Sequence, residues 1–242
     1  MACAIEMLNA MPDINAWNRA QALPEVEMGI GIHSGEVVLG NIGSELRAKY
    51  GIVGATINLT SRVESYTVGG QVLISETTRA LCGELLTVGT SQTVSPKGVK
   101  GTLTIHEALA VGAPFNVRLA SANEELVTPR APLELRYGTV KNKQVAALDH
   151  VAHVEAMSAQ GLELRVDEAL PALSDLQLRV VEGEGFKPGD LYGKVLKANV
   201  RPNVVYLRLT SVPPELRGVL EAARGEASLP REPVSDSVLV SS

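Results

Sequence analysis

The stretch that decides the fold of the first half of the chain covers residues 26–65 and reads VEMGIGIHSGEVVLGNIGSELRAKYGIVGATINLTSRVES. Its first eight residues alternate, which predicts a half-buried strand with one apolar face; that face consists of Val26, Met28, Ile30 and Ile32. Ser34 and Gly35 follow as turn residues, so residues 36–40 are predicted to return as the second strand of a hairpin. Residues 56–66 are predicted to form a helix.

The segments that flank this stretch predict further helices and strands. Residues 2–11 predict an amphipathic helix, which Pro12 interrupts, and a polar stretch then leads to Pro24. Downstream, residues 71–74 predict a strand. Ser75 is predicted to cap a helix that runs to Leu81, because serine is a preferred N-cap residue.

Composition limits the classes of function. The 242 residues are 45% hydrophobic and 20% charged, which is typical of a globular protein. A net charge of −5 and the lack of a Lys/Arg run argue against a nucleic-acid surface. No segment approaches the roughly 18 apolar residues of a membrane-spanning helix, and residues 1–11 make a poor signal peptide, so a cytoplasmic location is expected. Cys3 and Cys82 show no metal spacing, and we expect them to be small buried residues.

The pattern changes in the second half of the chain. Periodicity is lost over residues 113–127, which we interpret as a linker after a first domain at residues 1–112. Short alternating strands follow at residues 161–166, 176–180 and 205–209, which favours a small barrel or sandwich. Pro213 and Pro214 open a predicted amphipathic helix, and this second domain is placed at residues 128–224. The polar tail, residues 225–242, is predicted to be disordered.

The first half contains three groups of residues that together resemble the class III adenylate and guanylate cyclases. These groups are Gly29–Gly35 with the following Val37–Gly43, then Tyr50–Ser65, and finally Val99–Gly101. The resemblance covers about residues 1–112 and corresponds to the C-terminal part of the family's catalytic domain. It implies an α+β fold, an incomplete ferredoxin-like cyclase homology domain.

Asn58 and Arg62 are the central candidate site residues. They lie four apart, so on a helix both side chains project from the same face. A guanidinium is permanently charged and presents fixed donors that suit phosphate oxygens. The resemblance implies that Asn58 and Arg62 act on the transition state, that Lys100 contacts the terminal phosphates, and that Gly51 occupies the base-reading position without a side chain. Taken alone, the same residues are also consistent with a solvated helix face and a surface lysine.

The family's metal-binding aspartates belong to a segment that has no counterpart in this sequence. The resemblance therefore implies that this chain alone binds no cofactor, and that Mg²⁺ or Mn²⁺ enters only if a partner supplies the aspartates. A homo- or heterodimer through the cyclase-like half is expected. His33 is a conceivable base, but we assign it no role because no serine or carboxylate partner is evident beside it. Gly29, Gly31 and Gly35 are interpreted as packing and turn glycines.

The second half resembles a PilZ domain over about residues 128–224. The resemblance rests on Thr128–Leu133, on Ser158–Leu162 and on the alternating strands and terminal helix that follow. It implies a small all-β PilZ-like barrel with a C-terminal helix, and a weak candidate site for cyclic di-GMP at Arg130, Ser158 and Gly161. Arg136 lies six residues from Arg130 instead of four, and Ala156 replaces an acidic or amide residue. We therefore expect a degenerate domain with a regulatory or interaction role; Ser158 alone is also an ordinary turn residue.

Three functions remain open on the sequence. The first is a cyclic-nucleotide signalling protein whose cyclase homology region is not catalytic alone. The second is the C-terminal part of a functional adenylate or guanylate cyclase, a phosphorus–oxygen lyase forming cAMP or cGMP from ATP or GTP. The third is a cyclic di-GMP receptor.

Overall fold

The computed structural model of the chain describes residues 1–44, 47–96, 101–120, 125–141, 144–183 and 185–225. The chain divides into two compact units, residues 1–121 and residues 122–242. Two predictions lie outside the described residues: the phosphate contact of Lys100 and the disorder of residues 226–242.

The first unit contains four helices and seven strands among its described residues. The helices are α1 (Ala2–Asn9), α2 (Met11–Ala20), α3 (Ala55–Ser65) and α4 (Glu76–Cys82). The strands are β1 (Ile30–Ile32), β2 (Val38–Ser44), β3 (Arg47–Val53), β4 (Val72–Ser75), β5 (Leu86–Val94), β6 (Leu103–Val111) and β7 (Val117–Arg118). The predicted helix at residues 56–66 and the strand at residues 71–74 are confirmed. So is the cap at Ser75, whose hydroxyl accepts a hydrogen bond from the Thr78 backbone N–H.

The segment after Pro12 differs from the prediction. The polar stretch forms α2, and Pro12 lies in the first turn of that helix instead of interrupting helical structure. A proline is tolerated there because the first backbone N–H groups of a helix have no intrahelical partner.

The predicted hairpin between β1 and the segment after Ser34 is wrong. Strand β1 pairs in parallel with β4, with Ile30 opposite Val72 and Ile32 opposite Ile74. The antiparallel hairpin consists of β2 and β3, which begin their pairing at Val38 and Val53. Alternation predicts which face of a strand is buried, but it does not predict which strand lies beside it.

The main sheet of the first unit has the strand order β1-β4-β6-β5, and β7 pairs with the outer part of β6. Helix α1 packs against this sheet and buries Ile5 and Leu8 with Val72, Ile74 and Ala108. Strands β2 and β3 form a separate two-stranded sheet.

The second unit contains eight strands and one helix among its described residues. They are β8 (Glu134–Lys141), β9 (Gln144–Val145), β10 (His150–Met157), β11 (Gly161–Val166), β12 (Asp175–Glu182), β13 (Gly185–Phe186), β14 (Leu191–Arg201), β15 (Val204–Ser211) and α5 (Pro214–Arg224). The three alternating strands and the terminal helix predicted from the sequence are confirmed.

Pairing in the second unit is antiparallel throughout the described strands. The order β12-β14-β15-β11-β10-β8 continues through an additional pairing of β8 with β12, so the pairings of these six strands form a ring. The inward residues make a core that includes Leu135, Leu164, Leu178 and Leu207, and α5 adds Leu216 to it.

Two further predictions concern single residues and membrane crossing. Cys3 is exposed and Cys82 is partly exposed, so the prediction of buried cysteines is wrong. Cys3 precedes the buried Ala4 and Ile5 on α1 and lies on the other side of that helix.

None of the helices in the part of the chain that the structure describes has the length and hydrophobicity of a membrane-spanning segment.

Candidate functional site

Helix α3 carries the candidate site and lies directly against β1. Val63 of α3 is fully buried. A Cβ atom added to Gly31 of β1 would lie 2.3 Å from the backbone nitrogen of Glu64. Only a glycine lets the helix backbone approach the strand this closely. Gly31 therefore fixes the distance of α3 from the sheet, which confirms the packing role expected for this glycine.

Asn58 and Arg62 are both exposed on α3. The side chain of Val63 packs into the unit, so the opposite side of the helix presents the amide and the guanidinium outward. Arg62 also lies near Tyr66: burial raises the pKa of the Tyr66 hydroxyl, and the positive charge of Arg62 partly offsets that rise. The helical position expected for the pair is thus observed, whereas its role in cyclisation remains a prediction.

Little of the described chain lies beside Gly51, the position expected to read the base. Gly51 on β3 pairs with Gly40 on β2, so two glycines face each other across the hairpin. A Cβ on Gly40 would have no atom within 4 Å, and one on Gly51 would only touch the end of Ile42 at 3.6 Å. Apart from the end of Ile42, no described residue beyond the chain neighbours lies within 4 Å of a Cβ atom at either glycine.

An exposed apolar surface surrounds this position. We call it the hairpin surface, and its members are the large hydrophobic residues of β2, β3 and their flanks: Val37, Val38, Leu39, Ile42, Tyr50, Ile52, Val53 and Ile57. Tyr50 is 71% exposed and Val38 is 67% exposed. Val38, Ile42 and Val53 lie on one face of the hairpin, and Leu39, Tyr50 and Ile52 lie on the other. Clusters of exposed large hydrophobic residues often mark interaction sites. Ile57 of the hairpin surface belongs to α3 and directly precedes Asn58, so the surface reaches the helix that carries the Asn58–Arg62 pair.

His33 has a serine partner, contrary to the expectation from the sequence. Its Nδ1 lies 2.7 Å from the hydroxyl of Ser75, which is fully buried. Burial lowers the pKa of the His33 imidazole below its usual value. No local sequence pattern predicts this contact, because the two residues are 42 positions apart and meet only when β1 lies beside β4.

A second polar cluster joins α4 to the sheet. The buried His106 places Nε2 2.5 Å from the carboxylate of Glu76 and Nδ1 2.7 Å from the hydroxyl of Ser91. Arg79 also bonds to Glu76, and this hydrogen bond is the largest cause of the lowered pKa of the Glu76 carboxyl. No pattern within one segment predicts this cluster, because its residues come from α4, β5 and β6.

The described residues do not fit a metal site. Nowhere in the part of the chain that the structure describes do three His, Cys, Asp or Glu side chains converge in a way that could hold an ion. Divalent cations in phosphoryl chemistry require carboxylate ligands.

The candidate cyclic di-GMP residues of the second unit have structural partners. The hydroxyl of Ser158, which is buried, accepts a hydrogen bond of 2.8 Å from the Gly161 N–H and so closes the turn between β10 and β11. Arg130 is exposed, and its backbone N–H donates a hydrogen bond to the Ala223 carbonyl. Its side chain lies against Gly225 at the end of α5. Ser158 and Gly161 are thus brought together in one turn, while Arg130 is positioned by α5.

The second unit also contains a cleft of about 490 Å³. Its lining residues are Thr128, Pro129, Ala131, Pro132, Val154, Glu155, Arg165 and Arg201. Arg201 bonds to Glu155 at 3.0 Å and to Glu163 at 2.5 Å, and Arg165 also bonds to Glu155. Alternation in β11 places Glu163 and Arg165 on one face, but the sequence could not predict that Arg201 would join them.

A third polar cluster lies where β8, β10 and β11 meet. The fully buried Tyr137 donates a hydrogen bond of 2.8 Å to Asp167, and its ring stacks on His150. Burial alone would raise the pKa of the Asp167 carboxyl. Hydrogen bonds from the Val151 N–H and the Tyr137 hydroxyl, together with the charge of His150, lower it instead.

The first half of the chain is similar to known proteins. Residues 1–107 match the family model of the adenylate and guanylate cyclase catalytic domain. Adenylate cyclase 1 of Rhizobium meliloti is 32% identical over 111 residues, which are 45% of this chain and 17% of that protein. The adenylate cyclase of Anabaena cylindrica is 32% identical over 116 residues, 44% of this chain and 23% of that protein. The chain spans about a fifth of the length of these curated relatives.

Two solved structures are also similar. The guanylyl cyclase Cya2 is 51% identical, with coverage of 49% of this chain and 60% of that chain and a TM-score of 0.46. The adenylyl cyclase CyaB from P. aeruginosa is 28% identical, with coverage of 46% and 58% and a TM-score of 0.42. On the family match and the curated relatives, residues 1–107 are homologous to the catalytic domain of adenylate and guanylate cyclases, the enzymes of cyclic-nucleotide signalling.

Proposed function

We propose that the first unit contributes the asparagine–arginine half of a nucleotide cyclase site to a partner chain. The partner supplies the metal-binding carboxylates, and the assembly acts in cyclic-nucleotide signalling. The observation that carries this proposal is the position of Asn58 and Arg62: both are exposed on α3 beside an exposed apolar surface, while the described residues contain no carboxylate cluster of their own.

The chemistry follows from the two side chains. In cyclisation the ribose 3′ oxygen attacks the α-phosphate, and negative charge develops on the phosphate oxygens as pyrophosphate leaves. The Arg62 guanidinium donates to those oxygens and stabilises the charge, because it is permanently protonated and presents several donors. Asn58, one turn earlier on the same face, orients the ribose through its amide. Lys100 is expected to contact the terminal phosphates.

The hairpin surface supports the choice of partner. We propose that its occupant is a complete cyclase catalytic domain, which brings two aspartates and Mg²⁺ or Mn²⁺ to the α3 face. Eight exposed large hydrophobic residues lie on and beside one hairpin, and a partner that covers them removes this apolar surface from water. A second copy of this chain would cover the same surface but would add no carboxylate cluster from its described residues.

Complementation tests this proposal. The probe is the catalytic domain of R. meliloti adenylate cyclase 1 with its own transition-state asparagine and arginine replaced by alanine. Mixed with the full-length chain, ATP and Mn²⁺, it should form cAMP, whereas either protein alone should form none. Arg62→Ala should abolish the product. Arg19→Ala, at an exposed and ion-paired arginine of α2, should leave it unchanged.

Two results would contradict the proposal. One is cyclic product from the purified chain alone, lost in Arg62→Ala, which would favour the alternative that the chain is itself part of a functional adenylate or guanylate cyclase. The other is a lack of product from the mixture even though the two proteins associate.

For the second unit we propose a regulatory role as a degenerate PilZ-like module. Its cleft also favours a second candidate function, the binding of cyclic di-GMP. The proline-containing segment at residues 128–132 borders the cleft. Arg165 and Arg201, which both pair with Glu155, carry guanidinium groups of the kind that suits phosphate. Calorimetry with cyclic di-GMP should then show micromolar binding that Arg165→Gln abolishes and Arg217→Gln, at an exposed arginine of α5, retains. Absence of heat with the unaltered chain would leave a protein-binding role for the unit.

A further inference from the structure

His33 and Ser75 occupy equivalent positions at the ends of two parallel strands. The register of β1 and β4 pairs Ile32 with Ile74, and the next residue of each strand is His33 and Ser75. Their side chains meet at 2.7 Å between Nδ1 and the hydroxyl oxygen. The contact therefore joins the end of β1 to the start of α4, which Ser75 caps.

The hydroxyl groups beyond this contact form a relay with one consistent direction. Thr78 donates its hydroxyl hydrogen to Ser34 at 3.1 Å. Either hydroxyl can donate in the 3.2 Å contact between Ser75 and Thr78, and we assign Ser75 as the donor because Thr78 has already used its hydrogen. A serine hydroxyl has a single hydrogen. In this assignment Ser75 uses its hydrogen toward Thr78 and accepts from His33, in the tautomer that carries its proton on Nδ1. The relay thus runs from the Nδ1–H of His33 through Ser75 and Thr78 to Ser34.

The relay fixes a loop on which α3 rests. Two residues beyond Ser34, the carbonyl of Glu36 accepts a hydrogen bond of 2.6 Å from the Thr56 hydroxyl in the first turn of α3. Gly35 lies so close that a Cβ on it would be 2.8 Å from the same hydroxyl. The loop after β1 is therefore held by α4 on one side and bonded to the start of α3 on the other.

We propose that His33 is a positioning residue for the cyclase site. Through Ser75, Thr78 and Ser34 it fixes the loop that bonds to Thr56, and Thr56 lies two residues before Asn58 and six before Arg62. His33 thus sets the direction in which this pair faces the nucleotide held by the partner. This inference rests on the proposed function, because it requires that Asn58 and Arg62 act in a partner's site.

Matched variants test the inference in the complementation assay. His33→Ala should lower kcat roughly ten- to a hundredfold, since misplacement by about 1 Å costs this much, and should leave the Kd for the partner domain unchanged. Thr78→Val removes the relay hydroxyl at similar volume and should have the same effect. Thr77→Val, at the adjacent exposed threonine, should have none. Unfolding, by contrast, would change the Kd as well.

The conservative variants separate positioning from general loss of packing. Asparagine can place an amide N–H where Nδ1 stands, and glutamine places it near Nε2, so His33→Asn should restore kcat and His33→Gln should not. Equal activity of His33→Ala and the unaltered chain, or equal rescue by both amides, would overturn the inference.

A spectroscopic readout keeps the inference separable from the proposed function. In the full chain with ¹⁵N-labelled histidine, the His33 ring should show a protonated Nδ1 near neutral pH, and Thr78→Val should perturb that signal while Thr77→Val does not. A deprotonated Nδ1 in the unaltered chain would overturn the relay. Failure of the unaltered chain to complement, with the Nδ1 signal as expected, would reject the proposed function and leave the anchoring of the loop intact.

Discussion

The hairpin surface gives the sharpest quantitative prediction. Leu39 of β2 is 56% exposed in the chain. Complete burial of a leucine side chain contributes about 1.5–3 kcal/mol, so covering the exposed fraction of Leu39 should contribute about 0.8–1.7 kcal/mol to association. Since about 1.4 kcal/mol is a tenfold change in Kd, and alanine retains part of the buried area, Leu39→Ala should weaken partner binding roughly three- to tenfold.

The assay is sedimentation or calorimetry of the full chain with the cyclase catalytic domain used for complementation. Leu81→Ala is the matched control, because Leu81 on α4 is 74% exposed and lies outside the hairpin surface. The same chemical change there should leave the Kd unaltered. Both substitutions lie at the surface, so each should shift the free energy of unfolding by about 0.5 kcal/mol or less.

The Kd values of the two leucine variants show whether the partner covers the hairpin surface. An unchanged Kd in Leu39→Ala, measured beside detectable binding of the unaltered chain, would show that the partner does not cover the hairpin surface. Equal weakening in Leu39→Ala and Leu81→Ala would show that binding follows general hydrophobicity instead of this surface.

Two further predictions concern the stability of each unit. Gly31→Ala should lower the free energy of unfolding by about 1–3 kcal/mol, because the added methyl group would overlap the α3 backbone. Gly40→Ala has open space around the new methyl group and should cost far less. Urea unfolding of the two variants measures the difference, and similar midpoints would contradict the packing of α3 on Gly31. In the second unit, the pKa of Asp167 is lowered in the folded state, so its contribution is present above its unfolded pKa of about 3.9 and is lost as pH falls through the lower folded pKa. Asp167→Asn should therefore be less stable than the unaltered chain at about pH 6 and equally stable at about pH 2. Urea unfolding followed by near-UV circular dichroism at both pH values measures the difference, and a constant gap would refute the assigned pKa shift.

Local sequence patterns determined much of the first unit and the core of the second. The spacing of Asn58 and Arg62 sufficed to place both on one helix face, because a helix repeats every 3.6 residues whatever surrounds it. The Ser75 cap followed from the chemistry of one hydroxyl and one nearby N–H. The alternation at residues 161–166 likewise fixed which side chains of β11 face the core.

Only the tertiary structure decided which of these elements meet. Strand β1 pairs with β4 across more than forty residues instead of with the segment after Ser34, and this pairing gives His33 its serine. The cleft of the second unit joins Glu155, Arg165 and Arg201 from three strands. Such contacts depend on strand order and register, which arise from the packing of the whole unit. The periodicity of a single segment carries no information about its neighbour, so the sequence showed the candidate residues while the fold determined their partners.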